Sequence, residues 1–246
     1  MGASRQYRYL GATLAAWLSL AGSFSHADLT NGLLFHVGFD AGLPADAAAG
    51  NPVPQVTGEA RFAAGIRGKA LLVGNACVTR LAYANEGNFN IAAGTATLWL
   101  KPVDWLGKRG AMKCINLFCQ GEGSPQGYFG LELERFGQPD AQMIFYSISF
   151  TNRQPMHITC PASMRWTNGE WHQAALTWDH ELTRLYVDGV FLGSAQLTAP
   201  FTPADYHSKV FVLGNDGDEH TAIDELRIWS RPLSAAEILA LYQANQ

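Results

Sequence analysis

Five aspartates and three aromatic side chains are the residues of this 246-residue chain whose types and spacing could do chemistry. Asp40 closes the apolar run Gly32-Leu-Leu-Phe-His-Val-Gly-Phe-Asp40, and Asp46 follows in the next turn. Much later, Gly214-Asn-Asp-Gly-Asp-Glu-His220 brings Asp216 and Asp218 ahead of Asp224. In Ile223-Asp-Glu-Leu-Arg-Ile-Trp229, Asp224 shares strand parity with Leu226 and Ile228, which places its carboxylate on the core side. A buried carboxylate is costly unless it is paired, hydrogen-bonded or bound to a cation. Calcium suits such a place because it accepts several carboxylate and carbonyl oxygens in a flexible shell. The competing reading is a surface acidic loop, with Asp224 held by backbone amides. Among the aromatics, Trp105 and Trp166 sit in the turn-rich stretches Pro102–Gly110 and Met164–Gly169, where a core has less need of an indole. With Tyr128 they are candidates to stack on a flat ligand such as a sugar ring. Trp99, Trp171, Trp178 and Trp229 lie in strand-like runs and read as core.

The elements that must position these residues are short strands. Strand-like runs cover 70–83, 95–102, 112–119, 127–135, 142–151, 156–160, 170–179, 183–188 and 190–196, with Val210–Gly214 and Ile223–Trp229 completing the set. Residues 41–58, rich in Gly, Ala and Pro, read as a surface loop. Between Trp171 and Asp179, Ala174, Leu176 and Trp178 alternate with Gln173, Thr177 and Asp179, as in a half-buried strand. Asp188-Gly189 supplies the positive φ angles of a two-residue hairpin. Pro232 stops the last strand, and Ser234 with Glu237 has capping-box spacing for a short helix over Ala236–Tyr242. Many short strands with one helix predict an all-β sandwich.

Residues 1–27 read as a signal peptide. Arg5 and Arg8 form its basic region, Leu10 to Ala21 its apolar core, and Ser25-His-Ala27 its cleavage site. A dozen apolar residues fall short of the roughly 20 that span a bilayer, so no membrane insertion is expected and the chain should be secreted or periplasmic. Cleavage lowers the basic count from 17 to 15 against an unchanged 21 acidic residues, a net charge of −6. That acidic balance without basic clusters argues against nucleic acid and anionic lipid as partners. Residues 28–246 suit a single domain. Cys77, Cys114, Cys119 and Cys160 predict two disulfides in an oxidising compartment, with three connectivities open.

In their order, these segments resemble the laminin-G-like (concanavalin A-like lectin/glucanase) jelly-roll family in its secreted bacterial form. Gly32–Asp40 looks like the opening strand, Gly65-Ile-Arg-Gly-Lys-Ala-Leu71 like the family's G-x-x-G-x-A-L turn, and Ala96–Pro102 like the next core strand. The resemblance covers roughly residues 30–244 and implies an antiparallel jelly-roll β-sandwich with a short C-terminal helix. It also implies calcium near Phe39-Asp40 and Ile223-Asp-Glu225. The fold hosts lectins, adhesion modules, glycosidases and lyases, so it does not choose a ligand. Jelly-roll glucanases use E-x-D-x-x-E; here Glu132-Leu-Glu134 supplies two same-face carboxylates, but Gly137 stands where the third acid belongs. The lyase Q-I-H strand is absent, and His157-Ile-Thr159 does not match it. The expectation is an exported, non-catalytic domain that binds carbohydrate or a glycosylated surface, with a calcium site. The alternative is a protein-binding adhesion or scaffold domain. A polysaccharide-degrading glycosidase or lyase comes third.

Overall fold

The computed structural model describes residues 29–104, 111–119, 128–134, 143–148, 156–159, 166–197, 200, 202, 209–214 and 220–245; for the strands between 111 and 159, and for Thr79, the backbone alone is described. In chain order the strands are β1 (Leu33–Val37), β2 (Ala47–Ala48), β3 (Gln55–Gly58), β4 (Arg61–Ala64), β5 (Lys69–Val73), β6 (Val78–Ala84), β7 (Gly94–Pro102) and β8 (Ala111–Cys119). They continue as β9 (Tyr128–Glu134), β10 (Met143–Ile148), β11 (Met156–Thr159), β12 (His172–Trp178), β13 (Leu182–Val187), β14 (Val190–Gln196), β15 (Val210–Leu213) and β16 (Thr221–Trp229). The helix α1 (Ala235–Gln243) follows.

The strands form two layers. One runs β3-β6-β15-β8-β9-β10-β11 and the other β4-β5-β16-β7-β12-β13-β14, with antiparallel neighbours throughout. A lone parallel bridge, Val73 to Val78, links them through β5 and β6. Inward-facing side chains of both layers share the main core. Its centre is an aromatic triad of Phe35 on β1, Tyr83 on β6 and Phe211 on β15, with ring centroids 4.7, 5.1 and 5.5 Å apart. Such edge and offset contacts are the favoured arrangements of aromatic quadrupoles. The antiparallel sandwich expected from the sequence is therefore the observed fold.

The run expected over 70–83 divides into β5 and β6 because the two halves belong to different layers. The chain turns at Gly74, whose carbonyl accepts from Cys77 N at 3.0 Å. Within the expected 41–58 loop lie the short pairs of β2 with β1 and β3 with β6. Cys77 is buried and carries a free thiol, so it takes part in neither of the two expected disulfides; the side chains of Cys114 and Cys119, and the whole of Cys160, lie outside the described residues.

β12 is buried on both faces, not one. Ala174, Leu176 and Trp178 enter the main core, while Ala175 joins Tyr186, Trp229, Leu233, Ile238 and Leu241 in a second cluster. α1 lies over that outer face and turns a half-exposed strand into an interior one. Burying each large apolar side chain there contributes about 1.5–3 kcal/mol. The capping box starts the helix as expected: Ser234 Oγ accepts from Glu237 N at 3.3 Å, and Ser234 N donates to Glu237 Oε2 at 2.8 Å. At its far end the Tyr242 ring stacks on Trp99 at 5.6 Å.

Candidate functional site

Halfway along β16 the strand changes partner on one edge, from β5 (at Thr221–Ile223) to β1 (at Leu226–Trp229). A bulge between Asp224 and Arg227 absorbs the change, with Glu225 at φ 52°. The bulge reverses the alternation. Ile223, Leu226 and Ile228 all face the main core, whereas Asp224 stands opposite Trp99 on the helix-covered face. The parity argument from the sequence is thus corrected: Asp224 is buried, but not on the side of Leu226 and Ile228. A break in the ladder leaves amides without strand partners, and carboxylates take them. Asp224 Oδ2 accepts from Ile66 N at 2.9 Å and Arg67 N at 3.2 Å, and Oδ1 from Glu225 N at 2.7 Å. Burial pushes its carboxyl up to about 7 against the pull of these amides. Glu225 pairs with His36 at 3.1 Å and with Arg227, and these partners hold its carboxyl below the usual range despite burial.

The other acids near this junction do similar work. Asp40 Oδ1 accepts from Lys69 N at 2.6 Å, and Asp46 Oδ2 accepts from Gly38 N at 2.7 Å. This explains the Gly65-Ile-Arg-Gly68 turn. A β-carbon on Gly65 would overlap the Asp224 carboxylate and the Arg67 carbonyl, and one on Gly68, at φ +47°, would overlap the Asp40 carboxylate. Asp40, Asp46 and Asp224 are each engaged by backbone amides. Among the described residues no three His, Cys, Asp or Glu side chains form a group able to hold a metal ion. The described acids therefore do not fit calcium by themselves; Asp216 and Asp218 lie outside the described residues.

The end of the sheet beside this junction forms a rim. There the C-terminus of β7 meets the start of β12, with His172 paired to Leu100, and the start of β16, with Thr221 paired to Pro102. Trp171 is partly exposed, and the Lys101 ammonium lies 4.7 Å from its ring centroid while donating to Ala64 O at 3.0 Å. Trp166 is only 4 % exposed, lies in the main core cluster and stacks on the His172 ring at 4.3 Å. The two indoles thus exchange the roles expected of them: Trp166 is interior and Trp171 is partly exposed. His172 Nδ1 bonds Asp188 Oδ2 at 2.8 Å, and Asp188 Oδ1 accepts from Gln173 N at 2.9 Å. The Trp-His strand and the Asp-Gly turn, 16 residues apart, are one structural cluster. On the opposite flank of β7, His220 bonds Asp104 and Asn75. Trp105 lies outside the described residues, and Tyr128 is described by backbone alone, opposite Cys119. Sequence reasoning passed over Trp171 and Lys101; the signal was the position of Trp171 one residue before β12, where alternation no longer assigns a face.

A laminin-G family model, described as the concanavalin A-like lectin/glucanases superfamily, matches residues 79–239. The chain belongs to this superfamily. Among solved structures it resembles domain 4 of an extracellular arabinanase from Geobacillus stearothermophilus, solved with arabinotriose, at 21 % identity and TM-score 0.62, covering 86 % of this chain and 98 % of that one. It also resembles the binding domain of botulinum neurotoxin DC, solved with SialylT (11 % identity, TM-score 0.65) and with rat synaptotagmin II (10 %, 0.67). Those matches cover 89 % of this chain and 52 % of the toxin domain, so the chain spans about half of that neighbour's length. At these identities the likeness is one of fold. No match was found among curated protein sequences. No helix of the described residues is long and apolar enough to cross a membrane.

Proposed function

We propose that this protein is an exported, non-catalytic domain that binds carbohydrate or a glycosylated surface through the rim at the end of β7. The observation that carries the reading is a partly exposed indole, Trp171, held beside the Lys101 ammonium at a strand end. An aromatic face with a nearby donor is the pairing a sugar ring needs, since its C–H face stacks while its hydroxyls or carboxylate take hydrogen bonds. The superfamily and the arabinotriose-bound neighbour support the ligand class. The non-catalytic reading rests on Gly137 in place of the third glucanase acid. Calcium enters the proposal through the Asp216–Asp218 segment alone, because Asp40, Asp46 and Asp224 are taken by amides. Export rests on the Arg5-to-Ala27 pattern. A glycan array probed with residues 28–246, in calcium and again in chelator, tests the ligand and the ion together. Retention of a defined glycan set is the expected result, and an array blank under both conditions refutes the reading.

One observation favours a second reading, a protein-binding adhesion or scaffold domain. Where the β13–β14 hairpin meets α1, Val190, Phe191 and Leu239 are 58, 50 and 40 % exposed. If that corner is the working surface, binding to target cells will be lost after protease treatment and kept after glycosidase treatment.

A further inference from the structure

We propose that the ligand of this rim is an acidic glycan, whose carboxylate or sulfate groups are taken by Arg67, Lys69 and Lys101 around the β4–β5 turn. The inference rests on the carbohydrate reading and names the class of sugar. Ala64 and Lys69 stand opposite each other where β4 and β5 meet, with Gly65–Gly68 as the turn between them. Lys101 reaches this turn from β7, and its Nζ donates to Ala64 O at 3.0 Å. Lys69 Nζ donates to Asp40 O at 3.4 Å, and Arg67 Nη2 to Ala244 O at 2.6 Å. Cations from the turn, from β5 and from β7 thus gather at one corner, and the Lys101 ammonium ties that corner to the Trp171 ring.

Among the described residues, none of these three cations forms an ion pair with a carboxylate. Elsewhere basic side chains do pair: Arg61 with Glu59, Arg184 with Asp179, Arg227 with Glu225 and Arg231 with Glu237. The acids beside the turn are engaged in other ways. Asp40 and Asp224 accept from backbone amides, and Glu225 pairs with His36 and Arg227, with Arg67 acting on it from beyond ion-pair distance. A backbone carbonyl fixes a cation in place without cancelling its charge. An ammonium has three N–H donors and a guanidinium five, so each head keeps donors for ligand oxygens. Arg67 and Lys69 are exposed and Lys101 is partly exposed, so those donors face solvent. Side chains already held lose less rotamer freedom on binding. The chain as a whole is acidic, with a net charge of −4, so an anionic ligand is repelled by most of the surface and drawn to this corner. One oligosaccharide can then stack a ring on Trp171 and set its acidic groups against the turn.

The test is a glycan array followed by isothermal titration of residues 28–246. The probes are oligogalacturonate, a chondroitin sulfate oligosaccharide and a neutral galactan, so that carboxylate and sulfate are told apart. Acidic glycans should be retained and neutral ones passed over. Affinity should fall about tenfold or more between about 50 and 500 mM salt, a measurement that needs no variant. Lys69→Gln with Lys101→Gln leaves the Arg67 bond to Ala244 in place and should weaken binding about fivefold or more, with the melting temperature kept. Retention of neutral glycans alone, an affinity indifferent to salt, or a folded double variant that binds like wild type overturns the proposal and leaves the carbohydrate reading standing. The last outcome would mean that the cations serve only to deter strand pairing at the β4 edge. An array that retains nothing refutes the carbohydrate reading, and this proposal with it.

Discussion

Replacing Gly65 with Ala tests whether the carboxylate junction sets the stability of the fold. The added methyl would overlap the Asp224 carboxylate and the Arg67 carbonyl, and neither can move freely. Asp224 is fully buried and its Oδ2 accepts from the Ile66 and Arg67 amides at 2.9 and 3.2 Å. In a melt at about pH 9, where the Asp224 carboxyl raised to about 7 is ionised, displacing that oxygen breaks two hydrogen bonds to a buried acid, each worth about 1.5–3 kcal/mol. The expected loss is therefore about 3–6 kcal/mol. For a domain of this size one kcal/mol moves the melting temperature by about 2–4 °C, so a fall on the order of 10 °C or more is expected. The assay is a calorimetric or circular-dichroism melt of wild type, Gly65→Ala, Asp224→Ala and the double variant. In the Asp224→Ala background the carboxylate is gone, so the added methyl should cost less by about 1 kcal/mol or more. A fall under about 2 °C, or the same cost in both backgrounds, would refute the reasoning.

Asp224 also predicts a pH dependence. Its folded carboxyl, raised to about 7, binds a proton over a range where the unfolded carboxyl has lost it. The stability of wild type relative to Asp224→Asn should therefore fall as pH rises from about 4 to 7 and then level off; a flat difference would show that the three amides keep Asp224 ionised throughout. Trp171→Ala should weaken glycan binding with little effect on melting. Trp178→Ala, which removes a fully buried indole, should cost about 3–5 kcal/mol of stability, and equal melting losses would place Trp171 in the core. Cys77 should resist alkylation in the folded protein and react once it is denatured; rapid labelling of the native chain would contradict its burial.

Local chemistry was readable from the sequence wherever neighbouring residues decide the outcome. Asp188 and Gly189 adopt φ 51° and 75° between β13 and β14, and Ser234 with Glu237 starts α1, because turn and cap residues act within a few positions. Motif order carried the sandwich for the same reason. The errors lie where distant segments meet. Nothing in Ile223-Asp-Glu-Leu announces that Glu225 adopts a positive φ, since the bulge is imposed by β16 changing partner from β5 to β1. One inserted residue then reversed the parity that had placed Asp224 beside Leu226. Trp166 and Trp171 were exchanged because burial of the first depends on stacking against His172, which Asp188 orients from the next hairpin. The two glycines of Gly65-Ile-Arg-Gly68 were visible, but their reason was not: they make room for acids 28 and 159 residues away in the chain, Asp40 and Asp224.

The central claim, that this domain binds carbohydrate and leaves it intact, is tested most directly by isothermal titration of residues 28–246 with the oligosaccharide most strongly retained on the array. Chromatography of the sugar before and after incubation completes the measurement. The account predicts saturable binding with one site per chain, weakened by Trp171→Ala, and a sugar recovered unchanged. No saturable binding at millimolar ligand, or cleavage products that accumulate with time, would contradict it.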